Sequence, residues 1–489
     1  MTLFSDKPGD EGLPGKARCL AMIAVMITTT MNVFDASMIN IALPTISQTL
    51  RVPASAAIWV MNAYLLSVAM TLAIFAALAT RIGYRVQFVA GLGLFTLASL
   101  GCAGSSSLPL LIVMRFVQGI GGAATLSIAP ALLKSVFPRR LLGRILGLNA
   151  LLIALCTALA PILGGTILAF FRWQWLFAMN LPLGIAAITL VLRTIDNQPN
   201  CVTERFDTLG AVMSAIALGS LIMCANSFSQ IASDSAQWRH PIEVATSYAG
   251  AALISTWVFI RRQRRAERPL IPLAMFSSAR FSLAAFTSLI SFVSQNMTFI
   301  VLPFLFENVY GYSALQSALL FTPWPIGIAL AAPRAGRLAD QYKPAYISTI
   351  GLTIFAAGLL SLALLPTSPA IWDLCWRNLL CGIGFGLFQS PNNREMLANV
   401  AMANSSYASG VLAIMRTFGQ CLGAACVGII LSILAHIDIG RVGAGSSIVR
   451  SIHLCFYLAL GGSILAILLS LSRIRKPDFN CVESASEVR

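Results

Sequence analysis

Asp35 is the side chain with the most chemistry to explain. It interrupts an apolar stretch running from residue 19 to residue 47, and about 20 apolar residues suffice to cross a bilayer. A carboxylate at that depth is costly unless it is protonated, paired or facing water, which makes it a functional-site candidate. Arg115 stands inside a second apolar run, 108-133. Measured from the same, outer ends of their helices, Asp35 lies about 8 residues in and Arg115 about 7, depths of ~12 Å and ~10 Å. Opposite charges at one level of the hydrocarbon can act as a proton switch. Burial favours the neutral acid and a nearby guanidinium favours the anion, so a change in separation or water access loads or unloads a proton. A cationic substrate and a proton would then compete for one carboxylate. The other reading is a permanent salt bridge between two helices, although such a pair adds little over apolar packing.

Other polar residues within apolar runs form a second tier. Asn62, Tyr64, Gln295, Asn296 and Trp324, the last between Pro323 and Pro325, are candidates to line a substrate cavity or to join helices by hydrogen bonds. Glu307 is a candidate second cation-attracting carboxylate, or a solvated charge at the interface. Arg377 and Arg416 are read as ligands of carbonyls or as helix-orienting charges, not as substrate contacts. Enzymatic chemistry finds no support. His240, His436 and His453 are the only histidines and none lies in H-E-x-x-H. The nearest approach to a nucleotide loop, Gly9 to Lys16, has Ala17 where Ser or Thr is required. The eleven cysteines are scattered without metal-ligand spacing and read as small buried hydrophobes. No metal or cofactor is expected, and a proton gradient is the expected energy source.

The elements that must position these groups are membrane helices. The chain has 489 residues, 57% hydrophobic and 10% charged, with a mean hydropathy of +0.80, outside the range of soluble domains. A formal charge of +15 would suggest nucleic acid in a soluble chain, but here the basic residues fill short tracts between apolar spans. Fourteen candidate helices result, at about 19-43, 57-79, 86-104, 108-133, 145-169, 173-193, 207-228, 242-261, 281-303, 313-332, 344-365, 372-391, 407-435 and 451-472, with boundaries set to within a few residues. With the N-terminus cytoplasmic, 25 basic residues fall on that side and five on the other. This bias fits the positive-inside rule and puts both termini in the cytoplasm.

The chain also repeats. Ala42-Leu43-Pro44 has a counterpart in Val301-Leu302-Pro303, residues 76-80 in 336-340, and Arg115 in Arg377, at offsets of 259, 260 and 262. Near-constant spacing argues for two homologous halves, as in many transporters. The expected organisation is a tail at 1-18, a six-helix bundle at 19-197, an inserted helix pair at 198-262, a second six-helix bundle at 263-472 and a tail at 473-489. Asp35 is then matched by uncharged Gln295 or Asn296, which concentrates proton chemistry in the first half.

At this point the sequence resembles the major facilitator superfamily, in particular its 14-span drug:proton antiporter branch. Phe34 to Pro44 is similar to that branch's first-helix motif, and residues 110-124, with Arg115, Gln118 and Gly119, to its fourth-helix motif. Residues 172-184 resemble its sixth-helix opening. Two motifs depart from the pattern. In the loop between the second and third helices Arg81, Gly83 and Arg85 remain, but Ala76 and Thr80 replace a glycine and an aspartate, while the second-half copy keeps Gly336, Leu338 and Asp340. The family's aspartate is thought to latch the cytoplasmic side, so a weakened latch is implied. In the fifth-helix antiporter motif Pro161, Gly164 and Gly165 survive, while Cys156 and Ala160 stand where glycines belong. The resemblance implies an all-α fold with 14 transmembrane helices, a bacterial inner membrane, and export of small lipophilic, cationic or neutral compounds in exchange for protons by alternating access. An exporter or facilitator of an endogenous metabolite is the alternative. Partners are the lipid bilayer, a small-molecule substrate and protons. A periplasmic adaptor or outer-membrane channel is a further partner that no residue specifies.

Overall fold

The computed structural model describes residues 13–138, 142–195, 207–231, 239–265, 273–366, 368–400, 405–437 and 444–474. Among the described residues there is helix and no strand. A first group comprises α1 (Gly15–Leu50), α2 (Ala54–Ala57), α3 (Trp59–Ile82), α4 (Tyr84–Ala103), α5 (Leu108–Val136), α6 (Leu142–Phe170), α7 (Trp175–Ala178) and α8 (Asn180–Thr194). A hairpin follows, α9 (Thr208–Ile231) packed along α10 (Arg239–Gln263). The second group comprises α11 (Ala279–Phe304), α12 (Ala314–Phe321), α13 (Pro323–Gln341), α14 (Pro344–Ala363), α15 (Ile371–Ala398), α16 (Ser405–Ile437) and α17 (Ala444–Ile474).

Local chemistry sets the breaks. Gly83 has φ 87°, a conformation closed to most side chains, and turns α3 directly into α4. Pro303 removes a backbone donor near the end of α11, and the chain continues as a π-helical turn over Leu305–Val309 that carries Glu307. Ser313 and Gln316 form a capping box that starts α12.

The two groups pack alike. In the first, α1 meets α6 and α8, α5 meets α3 and α4, and α4 meets α8. In the second, α11 meets α16 and α17, α15 meets α13 and α14, and α14 meets α17. The pairings correspond one to one, so the weak internal repeat is a repeat of packing. Glycines set the closest of these contacts. A Cβ at Gly384 on α15 would lie 2.3 Å from the backbone nitrogen of Phe355 on α14. Gly384→Ala therefore forces the two helices apart, at a cost of about 1–3 kcal/mol, and lowers the melting temperature of the purified protein. Gly93→Ala on α4, where a Cβ meets nothing within 4 Å, leaves it unchanged, and equal melting curves for the two would contradict this packing.

Twelve described helical segments are long and apolar enough to cross a membrane. The expectation of fourteen spans is not supported on this measure, and the two that fall short are the candidates at 207-228 and 372-391. The apolar helix described at the first runs only over Thr208–Cys224. The second, within α15, carries Asp373, Arg377 and Asn378, which hold its apolarity down.

Candidate functional site

The bundle has a loop end, where α1 finishes and α11 passes into its π turn, and a terminal end, where α1 begins and α17 finishes. α1 contributes Asp35 and α5 contributes Arg115, one turn from Gln118. Arg115 Nη1 donates to Asp35 Oδ2 at 2.5 Å, with the two side chains 0% and 2% exposed. Gln118 Nε2 donates to Asp35 Oδ1 at 2.8 Å, so both carboxylate oxygens accept a bond. Gln118 Oε1 accepts from Arg115 Nη1 at 2.6 Å, and Arg115 Nε donates to the Val60 carbonyl of α3 at 2.9 Å. Ser99 on α4 accepts from Gln118 at 2.9 Å and from Asn180 on α8 at 3.3 Å. The guanidinium carbon lies 4.5 Å from the Tyr64 ring centre and 5.5 Å from that of Phe177, within cation–π range. Five long helices of the first group thus converge on one buried ion pair. The geometry suits an ionised Asp35, because a neutral acid would carry a proton on one of the two oxygens at which these donors are aimed.

The remaining candidates are dispersed. Tyr64 is 3% exposed and belongs to the Asp35 cluster by its contact with Arg115. Asn62 is buried on α3 and, among the described residues, its Oδ1 has no hydrogen-bond partner. Gln295 and Asn296 are buried on α11, where Asn296 donates to the Gln420 carbonyl of α16 at 2.6 Å. Trp324 is 0% exposed and packs edge-on against Phe299 and Phe355; it is core of the second group and faces no open cavity in this conformation. Glu307 is half-buried at the loop end.

The motif residues do mechanical work. A Cβ at Gly119 would lie 1.9 Å from Ser67 Oγ and 2.5 Å from the Tyr64 carbonyl oxygen, so this glycine lets α5 close on α3 and seats Tyr64 over Arg115. α6 runs through Pro161 to two glycines that face different neighbours. A Cβ at Gly164 would lie 3.2 Å from Met38 Cγ of α1, and one at Gly165 only 2.5 Å from Ala318 Cβ of α12. Gly165 therefore marks a point where the two groups touch. A second lies nearby at the loop end, where Gln48 Nε2 donates to Asn308 Oδ1 at 3.3 Å. Arg81 lies in the last turn of α3, and Arg85 donates to the Leu192 carbonyl of α8 at 3.1 Å. A Cβ at Gly336 would lie 3.3 Å from Ser390 Oγ of α15. The side chains of Thr80 and Asp340, on which the latch comparison depends, lie outside the described residues.

Sequence reasoning passed over several participants. Gln118 was legible as the residue one turn from Arg115 on the same helix face; Ser99 and Asn180 carried no comparable signal. The expectation for Arg377 agrees with its hydrogen bond to the Ser361 carbonyl and its 2.9 Å bond to Asp373. Arg416, given the same pair of readings, makes no hydrogen bond or ion pair among the described residues. Arg473, read with the C-terminal tail, is 0% exposed within α17, where it binds Asn392 at 2.5 Å and lies 3.5 Å from Glu395.

Comparisons with known proteins agree with this architecture. The chain is 39% identical over 423 residues to the uncharacterized transporter YebQ of Escherichia coli strain K12, covering 86% of this chain and 91% of that one. It is 27% identical over 416 residues to the riboflavin transporter RibZ of Clostridioides difficile, covering 84% and 87%. It is 28% identical over 419 residues to the multidrug resistance protein Stp of Mycobacterium tuberculosis, covering 85% and 76%. Among solved structures, a bacterial homolog of the human lysosomal transporter Spinster shares the fold, with a TM-score of 0.66 at 14% identity and coverage of 96% and 98%. The Major Facilitator Superfamily model matches residues 25–424. With most of its length matched, the packing duplicated between its two helix groups and a transporter relative near two-fifths identity, the chain belongs to the Major Facilitator Superfamily.

Proposed function

We propose that this protein is a secondary exporter that exchanges a small lipophilic compound for protons by alternating access. Asp35 carries the proton and Arg115 is its counter-charge. The observation that carries the reading is the 2.5 Å Asp35–Arg115 bond sealed inside the first group, in a conformation where the groups touch at the loop end. With the basic-residue bias as a guide, the terminal end is cytoplasmic and the loop end faces outward. Closed to the outside, Asp35 has released its proton and pairs with Arg115. Opening the loop end hydrates the pair and admits a proton from outside as the substrate leaves.

The same reading divides the chain into bundles at 19-197 and 263-472 with α9 and α10 inserted, and has α9 and α15 crossing the bilayer as well. Its support is that α15 packs in its group as α5 does in the other. The preference for cationic compounds drew on a free Asp35; with both of its oxygens taken by Arg115 and Gln118, substrate charge is decided elsewhere on the cavity wall.

Everted membrane vesicles carrying the chain should accumulate at least one member of a panel of lipophilic dyes and antibiotics under an imposed pH gradient. An uncoupler should abolish that accumulation. Accumulation that survives the uncoupler would identify a facilitator and reject proton exchange. The similarity to a riboflavin transporter gives the second reading, export of a metabolite, and the same vesicles can be offered flavins.

A further inference from the structure

α16 sits on the seam between the groups. It packs on α11, α15 and α17 of its own group, and on α2 and α3 of the other and on α9. Along it Ile414, Thr417 and Phe418 are buried, yet Arg416 between them is exposed. A long side chain exposed at mid-helix, with packed helices on both flanks, opens into the seam. α3, on which α16 packs across the seam, carries Tyr64, the residue that roofs Arg115. Arg416 therefore lies on a helix packed directly against the one that carries Tyr64.

The two arginines differ in pairing. Asp35 is matched by Arg115 at 2.5 Å, and among the described residues nothing matches Arg416. An unpaired guanidinium inside a membrane bundle is expensive; hydration in an open seam lowers that cost, and so does an arriving anion. The planar fork of arginine suits carboxylates and phosphates, which it holds through two parallel hydrogen bonds.

We propose that Arg416 receives an anionic group of the transported compound, so that the substrates are organic anions or zwitterions bearing a carboxylate, phosphate or sulfonate. This rests on the seam being the transport route, as proposed above, but not on proton coupling. It reverses the sign of the charge preference read from Asp35.

Equilibrium binding to the purified full-length chain in lipid nanodiscs tests it without any gradient. The probes are naphthoate, naphthyl phosphate and naphthalenesulfonate, against the matched cation naphthylmethylammonium and the neutral naphthylmethanol. At least one anion should bind about tenfold tighter than the cation and the neutral compound. Arg416→Gln should remove that advantage, and Arg416→Lys, which keeps the charge but not the fork, should retain only part of it. Three results overturn the proposal: no anion binds, the cation binds tightest, or anion affinity is unchanged in Arg416→Gln. Tightest binding of the cation to Arg416→Gln, with no compound bound by the natural protein, would identify Arg416 as a guard that repels cations and is equally fatal. Should the glutamine variant fail to fold, Arg416→Met takes its place, and unchanged anion affinity in that variant serves as the refutation. Repeating the titrations with Asp35→Asn separates the two readings, because anion binding that persists while pH-driven transport is intact in that variant rejects proton exchange and leaves the substrate class standing.

Discussion

Asp35→Asn should reduce transport driven by a pH gradient to the level of vesicles lacking the protein, while the variant still inserts and folds. Asparagine is nearly isosteric and keeps an oxygen for Arg115, but it cannot take up or release a proton. Breaking a buried ion pair typically costs about 3–5 kcal/mol because a charge is stranded. Here Arg115 keeps the Gln118 Oε1 at 2.6 Å, the Val60 carbonyl at 2.9 Å and the faces of Tyr64 and Phe177. The loss of stability should therefore fall at or below the lower end of that range, read as a reduced melting temperature. Substrate exchange across the membrane with no pH gradient should survive, since that half-cycle needs no proton. The static-bridge alternative predicts otherwise: gradient-driven transport and exchange would fall together, in proportion to the folded fraction. Unimpaired pH-driven transport in the variant would reject Asp35 as the proton carrier.

What the sequence disclosed about this site, and what it withheld, follows from the range over which each interaction acts. Counting residues from the ends of two apolar runs put Asp35 and Arg115 at one depth, and they meet because α-helices have a fixed rise. The offsets linking Arg115 to Arg377 and Ala42-Leu43-Pro44 to Val301-Leu302-Pro303 carried over into matched helix pairings, because a repeated pattern of small and large residues repeats the same grooves. Facing was not legible. α16 is apolar on nearly every side, so nothing along it distinguishes the turn that meets the seam from the turns that meet α11, and Arg416 passed as a helix-orienting charge. Trp324, read as lining a cavity or joining helices, sits by long-range packing among Phe299, Phe321 and Phe355. The count of spans departed for a simpler reason. Hydropathy averages over all faces of a helix, and α15 confines Asp373, Arg377 and Asn378 to one end, lowering the mean of a helix whose middle is well packed.

Gly165→Val should shift the protein away from the conformation described here and cut transport at least about fivefold. The hydrogen that glycine presents to α12 becomes a branched side chain whose first carbon would fall 2.5 Å from Ala318 Cβ and 3.1 Å from the Ala314 carbonyl oxygen. Neither atom belongs to a flexible side chain, so the clash is relieved only by moving α12 away from α6. Overpacking of this kind costs about 1–3 kcal/mol, and every 1.4 kcal/mol is about tenfold in an equilibrium constant. The penalty is confined to the state in which the loop end is closed, because α6 and α12 belong to groups that separate when that end opens. Cysteines at Gln48 and Asn308, whose side chains are 3.3 Å apart in the closed state, should cross-link readily while Gly165 is kept and poorly once Gly165→Val is added. Gly164→Val offers the internal comparison. Its added atoms meet Met38 Cγ at 3.2 Å and stay within one helix group, and a methionine can turn aside. Its effect on cross-linking should be small. Equal cross-linking with and without Gly165→Val would mean that the loop-end contact is not the gate, and the groups would have to close on one another elsewhere along α3 and α16.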